Sequence, residues 1–303
     1  MKRFLAQCII TISIVIVNAC SKEAINTIKP AIVDKGNLID AGSSTTMPLY
    51  YSSDDSNMLL GDPDDAQPNA VHTEKYLITN PYYAESYNNT THCPNWTSWH
   101  LDAANMGNIK RKNNFRAYDN LPQTWYAVHE GSYSGSGFDR GHNCPSGDRT
   151  NSSEANSSTF LMTNMIPQAP QNNQLTWEHL ESYTRSLIQA GNEAYIIMGA
   201  YGRGGTGKNG YMETINDGRA QITVPKRIWK VIVIIPNGTN DLNRINKNTR
   251  IITIDTPNDD TVDPDWKKYI TTIQAIEAAT GYHLLSNLPA SMRAILANKI
   301  DHI

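Results

Sequence analysis

Two short segments of this chain constrain its fold more than any other feature. The first is the run Asp139-Arg140-Gly141-His142, and the second, about thirty residues later, carries Asn173, Trp177 and Glu181. Together they supply an imidazole that can act as a base, an amide oxygen that suits a hard metal ion, and a carboxylate. A fold that uses these groups has to bring the two segments to one place.

The first segment contains the candidate base. The imidazole of His142 can accept a proton from water near neutral pH, and a positioned general base contributes roughly 10²–10⁴ in rate. Gly141 lets the backbone bend tightly before it, while Asp139 can orient a donor and Arg140 can face a phosphate. An isolated histidine is more often structural, so the catalytic interpretation depends on these neighbours and on the second segment.

The second segment has the spacing of one helix face. Asn173, Trp177 and Glu181 follow each other at i, i+4 and i+8, which places them on the same side of a helix. An Asn carbonyl oxygen is a suitable ligand for Mg²⁺, and a carboxylate can hold a metal-bound water. The alternatives are a helix N-cap for Asn173 and a solvated face for Glu181. Trp177 is expected to pack rather than react.

The N-terminal residues have the layout of an export signal. A basic start precedes the apolar stretch from Leu5 to Val17, which is too short for a comfortable membrane span. The run Val17-Asn18-Ala19-Cys20 resembles a bacterial lipobox, so we expect residues 1–19 to be a lipoprotein signal peptide and Cys20 to carry lipid. The alternatives are an ordinary signal peptide and an uncleaved anchor. The expected location is that of an exported bacterial lipoprotein, tethered to a membrane in the periplasm or on the cell surface.

Charge is distributed unevenly along the chain. Residues 20–70 are rich in Ser, Asp, Asn, Gly and Pro and are predicted to form a disordered acidic linker before a folded domain at residues 71–303. The stretch 31–70 holds seven aspartates against one lysine, whereas the whole chain has a net charge of only −3. The folded part is therefore close to neutral, and a polyanion would have to bind in a local basic groove.

Two cysteines remain if the signal peptide is removed and Cys20 is acylated. These are Cys93 and Cys144, and outside the cytoplasm a disulfide between them is permissible. Such a bridge would hold the loop that follows His142, but two free thiols are equally compatible with the sequence. Neither cysteine has the repeated CxxC spacing of a zinc site.

The apolar pattern predicts more strand than helix. Strands are expected at Asn95–Leu101, Trp125–Val128, Ala194–Gly199, Gln221–Val224, Lys230–Ile235 and Arg250–Ile254. Helices are expected at Ser153–Met162, Thr176–Ala190 and Trp266–Thr280, the last with Gly281 as its C-cap. Since strands do not alternate strictly with helices, we expect an α+β fold with a central, mainly antiparallel β-sheet flanked by helices.

Several motifs in combination resemble one family. The run from Tyr133 to Pro145, with Asp148-Arg149 after it, the run from Phe160 to Gln168, and the pattern Asn173, Trp177, Leu180-Glu181 resemble the DNA/RNA non-specific endonucleases, a ββα-metal (His-Me finger) group. The resemblance covers roughly residues 75–290, including residues 224–230 and 276–281. It implies a ββα finger that carries the site. Asn143-Cys144 departs from the family pattern, which more often has apolar or small residues there.

The resemblance implies a role for each residue of the two segments. His142 would be the general base that activates water. Asn173 would be the direct ligand of a single Mg²⁺, with Mn²⁺ or another divalent cation as the alternative. Glu181 would bind the metal through water.

The resemblance also implies supporting residues. Asn164 matches an amide near the site, and Arg140 matches a cation that meets the charge of the transition state. An upstream arginine belongs to the family pattern. We assign it to Arg111, with Arg116 as the alternative because insertions blur the register there.

The implied activity is metal-dependent hydrolysis of phosphodiester bonds in DNA and RNA. Little sequence preference is expected, because the sugar-phosphate backbone carries no base identity. One alternative is a cell-surface nucleic-acid-binding lipoprotein on a degenerate nuclease fold, for which loss of His142 or Asn173 would argue; both are present. Another is a toxin, for which a delivery domain or a neighbouring immunity gene would argue.

Overall fold

The computed structural model describes residues 53–303. The expected signal peptide, the expected lipid-bearing Cys20 and most of the expected linker lie outside this range. Within it, no helix combines the length and the apolar character needed to cross a bilayer.

The described residues form twelve strands and five α-helices. The strands are β1 Tyr76–Thr79, β2 Ala84–Asn88, β3 Cys93–Leu101, β4 Asp139–His142, β5 Met165–Gln168, β6 Asn192–Tyr201, β7 Gly205–Gly207, β8 Gly210–Met212, β9 Thr214–Asn216, β10 Gln221–Thr223, β11 Arg227–Pro236 and β12 Arg250–Pro257. The helices are α1 Ser153–Ser158, α2 Glu178–Gln189, α3 Asp241–Arg244, α4 Ile273–Thr280 and α5 Ala290–Leu296. A π-helical turn at Asn172–Trp177 leads into α2.

A six-stranded sheet forms the centre of the fold. Its order is β1-β2-β3-β6-β11-β12, and every neighbouring pair is antiparallel. β11 lies inside the sheet with both faces covered, which explains why its residues 231–235 are Val and Ile without a polar break. The predicted α+β class with a mainly antiparallel sheet is confirmed.

Two apolar layers cover the two faces of this sheet. Alternation along β3 sends Trp99 to one layer and Trp96 to the other. The Trp99 layer also contains Met165, Ile166 and Trp177, which belong to β5 and the π-helical turn. The functional segments identified in the sequence therefore pack on the Trp99 face of the sheet.

A ββα unit lies on that face. β4 pairs antiparallel with β5, with Asp139 opposite Gln168 and His142 opposite Met165. The chain then passes through the π-helical turn into α2, so that the segment with the histidine and the segment with the asparagine become neighbours. α1 lies in the connection between the two strands.

Several local elements differ from the sequence prediction. Trp125–Val128 forms no strand, and the helix expected at Ser153–Met162 ends at Ser158. The helix expected at Trp266–Thr280 is divided into a 3₁₀ turn at Trp266–Tyr269 and α4. The division arises because the Thr272 side chain accepts from the backbone N–H of Ala275 and starts a new helix.

The packed structure begins earlier than the expected boundary between residues 70 and 71. Met58, Leu59 and Leu60 are buried against the Trp96 face of the sheet. Asp64 accepts a hydrogen bond from the indole N–H of Trp96 at 2.8 Å, so one of the acidic residues of this stretch has a structural partner. Residues 53–70 are mostly polar, but Met58, Leu59 and Leu60 within them form a short apolar segment that packs on the sheet.

The two cysteines of the described region are free. Cys93 and Cys144 are both buried in the layer that contains Trp99, and no bridge joins them. Burial raises the pKa of each thiol to about 12, so neither thiolate is populated near neutral pH. Of the two possibilities that the sequence left open, the structure shows the free thiols.

Candidate active site

His142 ends β4 and is almost completely covered. Its Nε2 atom is buried and has no hydrogen-bond partner. The rings of Phe115 and Phe160 pack against the imidazole edge to face, with centroids 5.5 and 5.0 Å away. The two phenylalanines fix the ring orientation without using its polar atoms.

The electrostatic surroundings keep His142 neutral. Burial lowers its pKa to about 3, and the positive charges of Arg111 and Arg140 act in the same direction. The backbone of Arg140 opposes this change. A neutral imidazole keeps a lone pair on one ring nitrogen, which is the state that a general base requires.

Asn173 lies in the π-helical turn and contacts the other end of β4. Its Nδ2 donates to Asp139 Oδ2 at 2.8 Å, and the Gln174 Nε2 donates to the same oxygen at 2.8 Å. The bond occupies the amide nitrogen of Asn173 and leaves its Oδ1 as a hard oxygen donor. Together with the Asp139 carboxylate, this donor set fits a small divalent cation such as Mg²⁺.

Glu181 lies on α2 between two cations. Lys230 Nζ is 3.5 Å from its Oε1, and Arg185 NH1 is 3.8 Å from its Oε2. Burial raises the pKa of Glu181, whereas the charges of Lys230 and Arg185 lower it. Lys230 is itself buried in the sheet and has the rings of Trp177 and Trp99 at 5.0 and 5.5 Å.

An open cavity of about 490 Å³ lies over these groups. Arg111, Asp139, Arg140 and Asn173 are among the residues that line it, whereas His142 and Glu181 are not. The imidazole and the Glu181 carboxylate thus lie behind the first layer of side chains, and a phosphate in the cavity meets the two arginines first.

Of the two candidate upstream arginines, Arg111 is the one beside the base. Its NH1 donates to Ser146 Oγ at 2.6 Å, its guanidinium lies 4.9 Å from the Phe160 ring, and its charge acts on both His142 and Glu181. Arg116 instead lines a separate cavity and donates to the carbonyl of Ser157 at 2.8 Å.

Asn164 stabilises the turn after His142 and does not line the cavity. Its Oδ1 accepts from the backbone N–H of Cys144 at 2.9 Å, and its Nδ2 donates to the carbonyls of Cys144 and Thr159 at 2.9 Å. The side chain is completely buried. The structure places it as a support for the backbone that follows His142.

Four other potential metal ligands, Asp55, His100, Glu193 and Asp241, come within 4.8 Å of one another. His100 lies opposite Tyr195 in the sheet register, and Tyr195 belongs to the Trp96 layer. This group is therefore on the opposite face from His142. The guanidinium of Arg244 already contacts Glu193 and Asp241 there.

Sequence reasoning missed two charged partners of the site, Lys230 and Arg185. Asp139, expected from the sequence to orient a donor, accepts from the amide of Asn173. Lys230 carried a detectable signal, because it is the one charge inside the apolar run from Ile228 to Ile235. A lysine at such a position is expected to meet a buried anion.

The chain is similar in sequence to one family of known proteins. The family model described as DNA/RNA non-specific endonuclease matches residues 65–291. A nuclease from Nostoc sp. (strain PCC 7120 / SAG 25.82 / UTEX 2576) is 40% identical over 246 residues, which cover 81% of this chain and 86% of the relative. Nuclease C1 from Cunninghamella echinulata var. echinulata is 32% identical over 192 residues, which cover 61% of this chain and 72% of the relative.

A solved structure supports the architecture independently. The structure of an EndoG/EndoGI complex matches with a TM-score of 0.63 over 82% of this chain and 96% of that chain. The sequence identity is 20%, so this similarity shows the fold alone.

Proposed function

This chain belongs to the DNA/RNA non-specific endonuclease family and is a nuclease, and we propose that it cuts DNA and RNA with a single Mg²⁺ ion and with His142 as general base. Mn²⁺ or another divalent cation is the alternative metal. Asn173 would bind the ion directly and Glu181 through water. Hydrolysis would show little sequence preference, because the groups that line the cavity suit a phosphate backbone rather than base edges.

The observation that carries this proposal is the state of His142. Its ring is packed by Phe115 and Phe160, and burial together with the charges of Arg111 and Arg140 keeps it neutral. The strand that ends at this base begins at Asp139, which orients Asn173. One four-residue strand therefore connects the proton acceptor to the metal-binding amide.

Arg111 and Arg140 couple substrate binding to the basicity of His142. In the free enzyme their charges help to depress its pKa. A phosphodiester bound between them would cancel part of that charge and raise the pKa toward the range in which imidazole accepts a proton from water. The same arginines then stabilise the negative charge that develops at phosphorus.

The oxygen donors near Asn173 fit a divalent ion. Asp139 fixes the amide of Asn173, and Glu181 lies nearby as a carboxylate whose charge is balanced by Lys230 and Arg185. When bound, the ion supplies Lewis-acid stabilisation of charge on the phosphate and on the leaving oxygen. The protein residues hold the base, the amide and the arginines in place around it.

We further propose that the enzyme is exported and attached to a membrane through lipid on Cys20, in the periplasm or on the cell surface. The support is the lipobox-like run that ends at Cys20. Labelling of cells with a palmitate analogue should modify the full-length protein and not its Cys20→Ser variant. An unlabelled wild-type protein would contradict lipid attachment.

The decisive experiment uses the chain from Ser21 onward, which lacks the lipid-bearing cysteine. Plasmid DNA and RNA are incubated with it in Mg²⁺ and in EDTA, beside His142→Ala. We expect both polymers to be cut only with metal and only by the wild type. If a folded wild-type protein binds nucleic acid but cuts neither polymer with any divalent metal, the alternative function of a nucleic-acid-binding lipoprotein is supported instead.

A further inference from the structure

Glu85 is a buried carboxyl group that the proposed mechanism does not use. It lies on β2, has no exposed surface, and both of its carboxyl oxygens lack a hydrogen-bond partner. Its register partner Thr97 lies opposite Met198, which belongs to the Trp99 layer. Glu85 therefore points toward the same side of the sheet as His142.

Further unpartnered oxygens surround this carboxyl group. Thr97 Oγ1 accepts from the Nδ2 of Asn143 at 3.0 Å, while the Oδ1 of Asn143 and the Oγ1 of Thr163 are buried without partners. The Thr163 hydroxyl acts on the pKa of Glu85, although neither group has a hydrogen-bond partner. An ionised Glu85 and the Oδ1 of Asn143 would contribute three oxygens that can only accept, against the two hydroxyl donors of Thr97 and Thr163, which is costly in a dry interior.

These oxygens belong to the two backbone segments that hold the base. Asn143 directly follows His142 in the sequence. Thr163 directly precedes Asn164, whose side chain forms hydrogen bonds with both the backbone N–H and the carbonyl of Cys144. A hydrogen bond between β2 and these segments would fix the imidazole of His142 relative to the sheet.

We propose that Glu85 acts as an un-ionised carboxylic acid that positions His142, its O–H group being a donor for the unpartnered Oδ1 of Asn143, the residue that follows His142. The inference rests on the proposed function, because it assigns a task to the turn that carries the base. Glu85 touches no substrate and is a positioning residue.

Burial and charge both favour the neutral form. Burial raises the pKa of Glu85 to about 8, only the Thr163 hydroxyl opposes this change, and no cation contributes. The titratable groups that respond to Glu85 are Tyr83, Tyr87 and Tyr118, whose pKa values are raised, and the nearby Cys144 is an un-ionised thiol. An ionised Glu85 would therefore be a buried charge without a partner.

Stability against pH tests the neutral state without any assay of activity. The folded protein holds the Glu85 proton up to about pH 8, whereas the unfolded chain releases it near the ordinary glutamate pKa of 4.5. The wild type should thus lose stability relative to Glu85→Gln as pH rises from 5 to 8. Thermal unfolding of the chain from Ser21 onward measures this difference, with Glu74→Gln at an exposed site as the control. A Glu85→Gln difference that does not change with pH overturns the proposal.

Kinetics test the positioning role. At pH 7 we expect Glu85→Gln to keep kcat within about threefold of the wild type. Glu85→Ala should lower kcat about tenfold or more with little change in KM, because the base is displaced. The wild type should lose kcat above pH 8, and Glu85→Gln should lose less.

Equal loss of kcat in the two Glu85 variants at pH 7 would overturn the positioning role. If instead the wild-type protein proved to have no nuclease activity, the pH-dependent stability difference would still be expected. Failure of this inference is therefore distinguishable from failure of the proposed function.

Discussion

The side chain of Asn173 donates a hydrogen bond to Asp139 Oδ2 over 2.8 Å. This contact joins the π-helical turn to the first residue of β4, whose last residue is His142. Because the bond occupies Nδ2 of Asn173, the amide oxygen Oδ1 remains available to a metal ion. The orientation of Asn173 and the placement of His142 are thus properties of one short strand.

Replacing Asn173 should abolish metal binding and activity together. Asn173→Ala removes the oxygen donor, and we expect activity to fall by at least about 10²-fold and heat of Mg²⁺ binding to disappear in calorimetry. Gln174→Ala is the matched control, because Gln174 donates to the same oxygen at the same distance. A control variant that loses as much Mg²⁺ affinity as Asn173→Ala would contradict the assignment.

Replacement of Arg111 and replacement of Arg116 should have different effects on kcat. Arg111→Ala removes a cation beside His142, and we expect kcat to fall by roughly 10²–10³-fold, as for the loss of a preorganised charge donor. Arg116→Ala should leave kcat nearly unchanged, because this side chain binds a backbone carbonyl at another cavity. Steady-state cleavage of a short fluorescent duplex gives both values. The opposite ranking would identify Arg116 as the site arginine.

His142 should make the protein sensitive to acid. Its folded pKa of about 3 lies below the ordinary histidine pKa of 6.5, so its contribution to stability is present above pH 6.5 and is lost as pH falls toward 3. At pH 4.5 the loss is about 3 kcal/mol relative to pH 7.5. The free energy of unfolding of His142→Asn, relative to that of the wild type, should therefore rise by about 3 kcal/mol when the pH is lowered from 7.5 to 4.5. Urea unfolding at both pH values measures the change, and an unchanged difference would show that the ring is solvated.

The pair of Lys230 and Glu181 should behave as one unit. Lys230→Met keeps the length of the side chain and removes the charge, leaving the partly buried carboxylate of Glu181 with only Arg185 at 3.8 Å. We expect a loss of about 1–3 kcal/mol in the free energy of unfolding. The double variant with Glu181→Gln should lose less than the sum of the single losses, by about 1 kcal/mol. Strict additivity in denaturant unfolding would show that the two charges do not interact.

The sequence predicts the strands of the central sheet well where apolar runs are long. The expected Lys230–Ile235 and Ala194–Gly199 lie within β11 and β6, since β-branched residues at buried interior positions leave little alternative. Trp125–Val128 has a similar composition, but the strand predicted there does not form. There Tyr126 bonds through its side chain to Asp217 and approaches Ser132, so side-chain contacts replace a strand ladder.

The sequence predicted the site residues whose own side chains are chemically distinctive. It did not predict the residues that strands distant in sequence bring next to them. The candidate residues Arg111, Arg140 and Asn173 do line one cavity, and His142 lies behind it. Glu85 and Lys230 escaped prediction because they become neighbours of the site only through the register of β2, β3, β6 and β11. Such contacts depend on pairings that no local pattern encodes.

The π-helical turn at Asn172–Trp177 makes the site depend on residue number as well as residue identity. A π-helical turn takes up one residue more than an α-helical turn. If the same six residues followed an α-helical path, each would turn the chain further about the axis, and Asn173 would be rotated relative to Glu181. The extra residue of this turn is therefore part of what directs Asn173 toward Asp139, although no inventory of catalytic residues contains it.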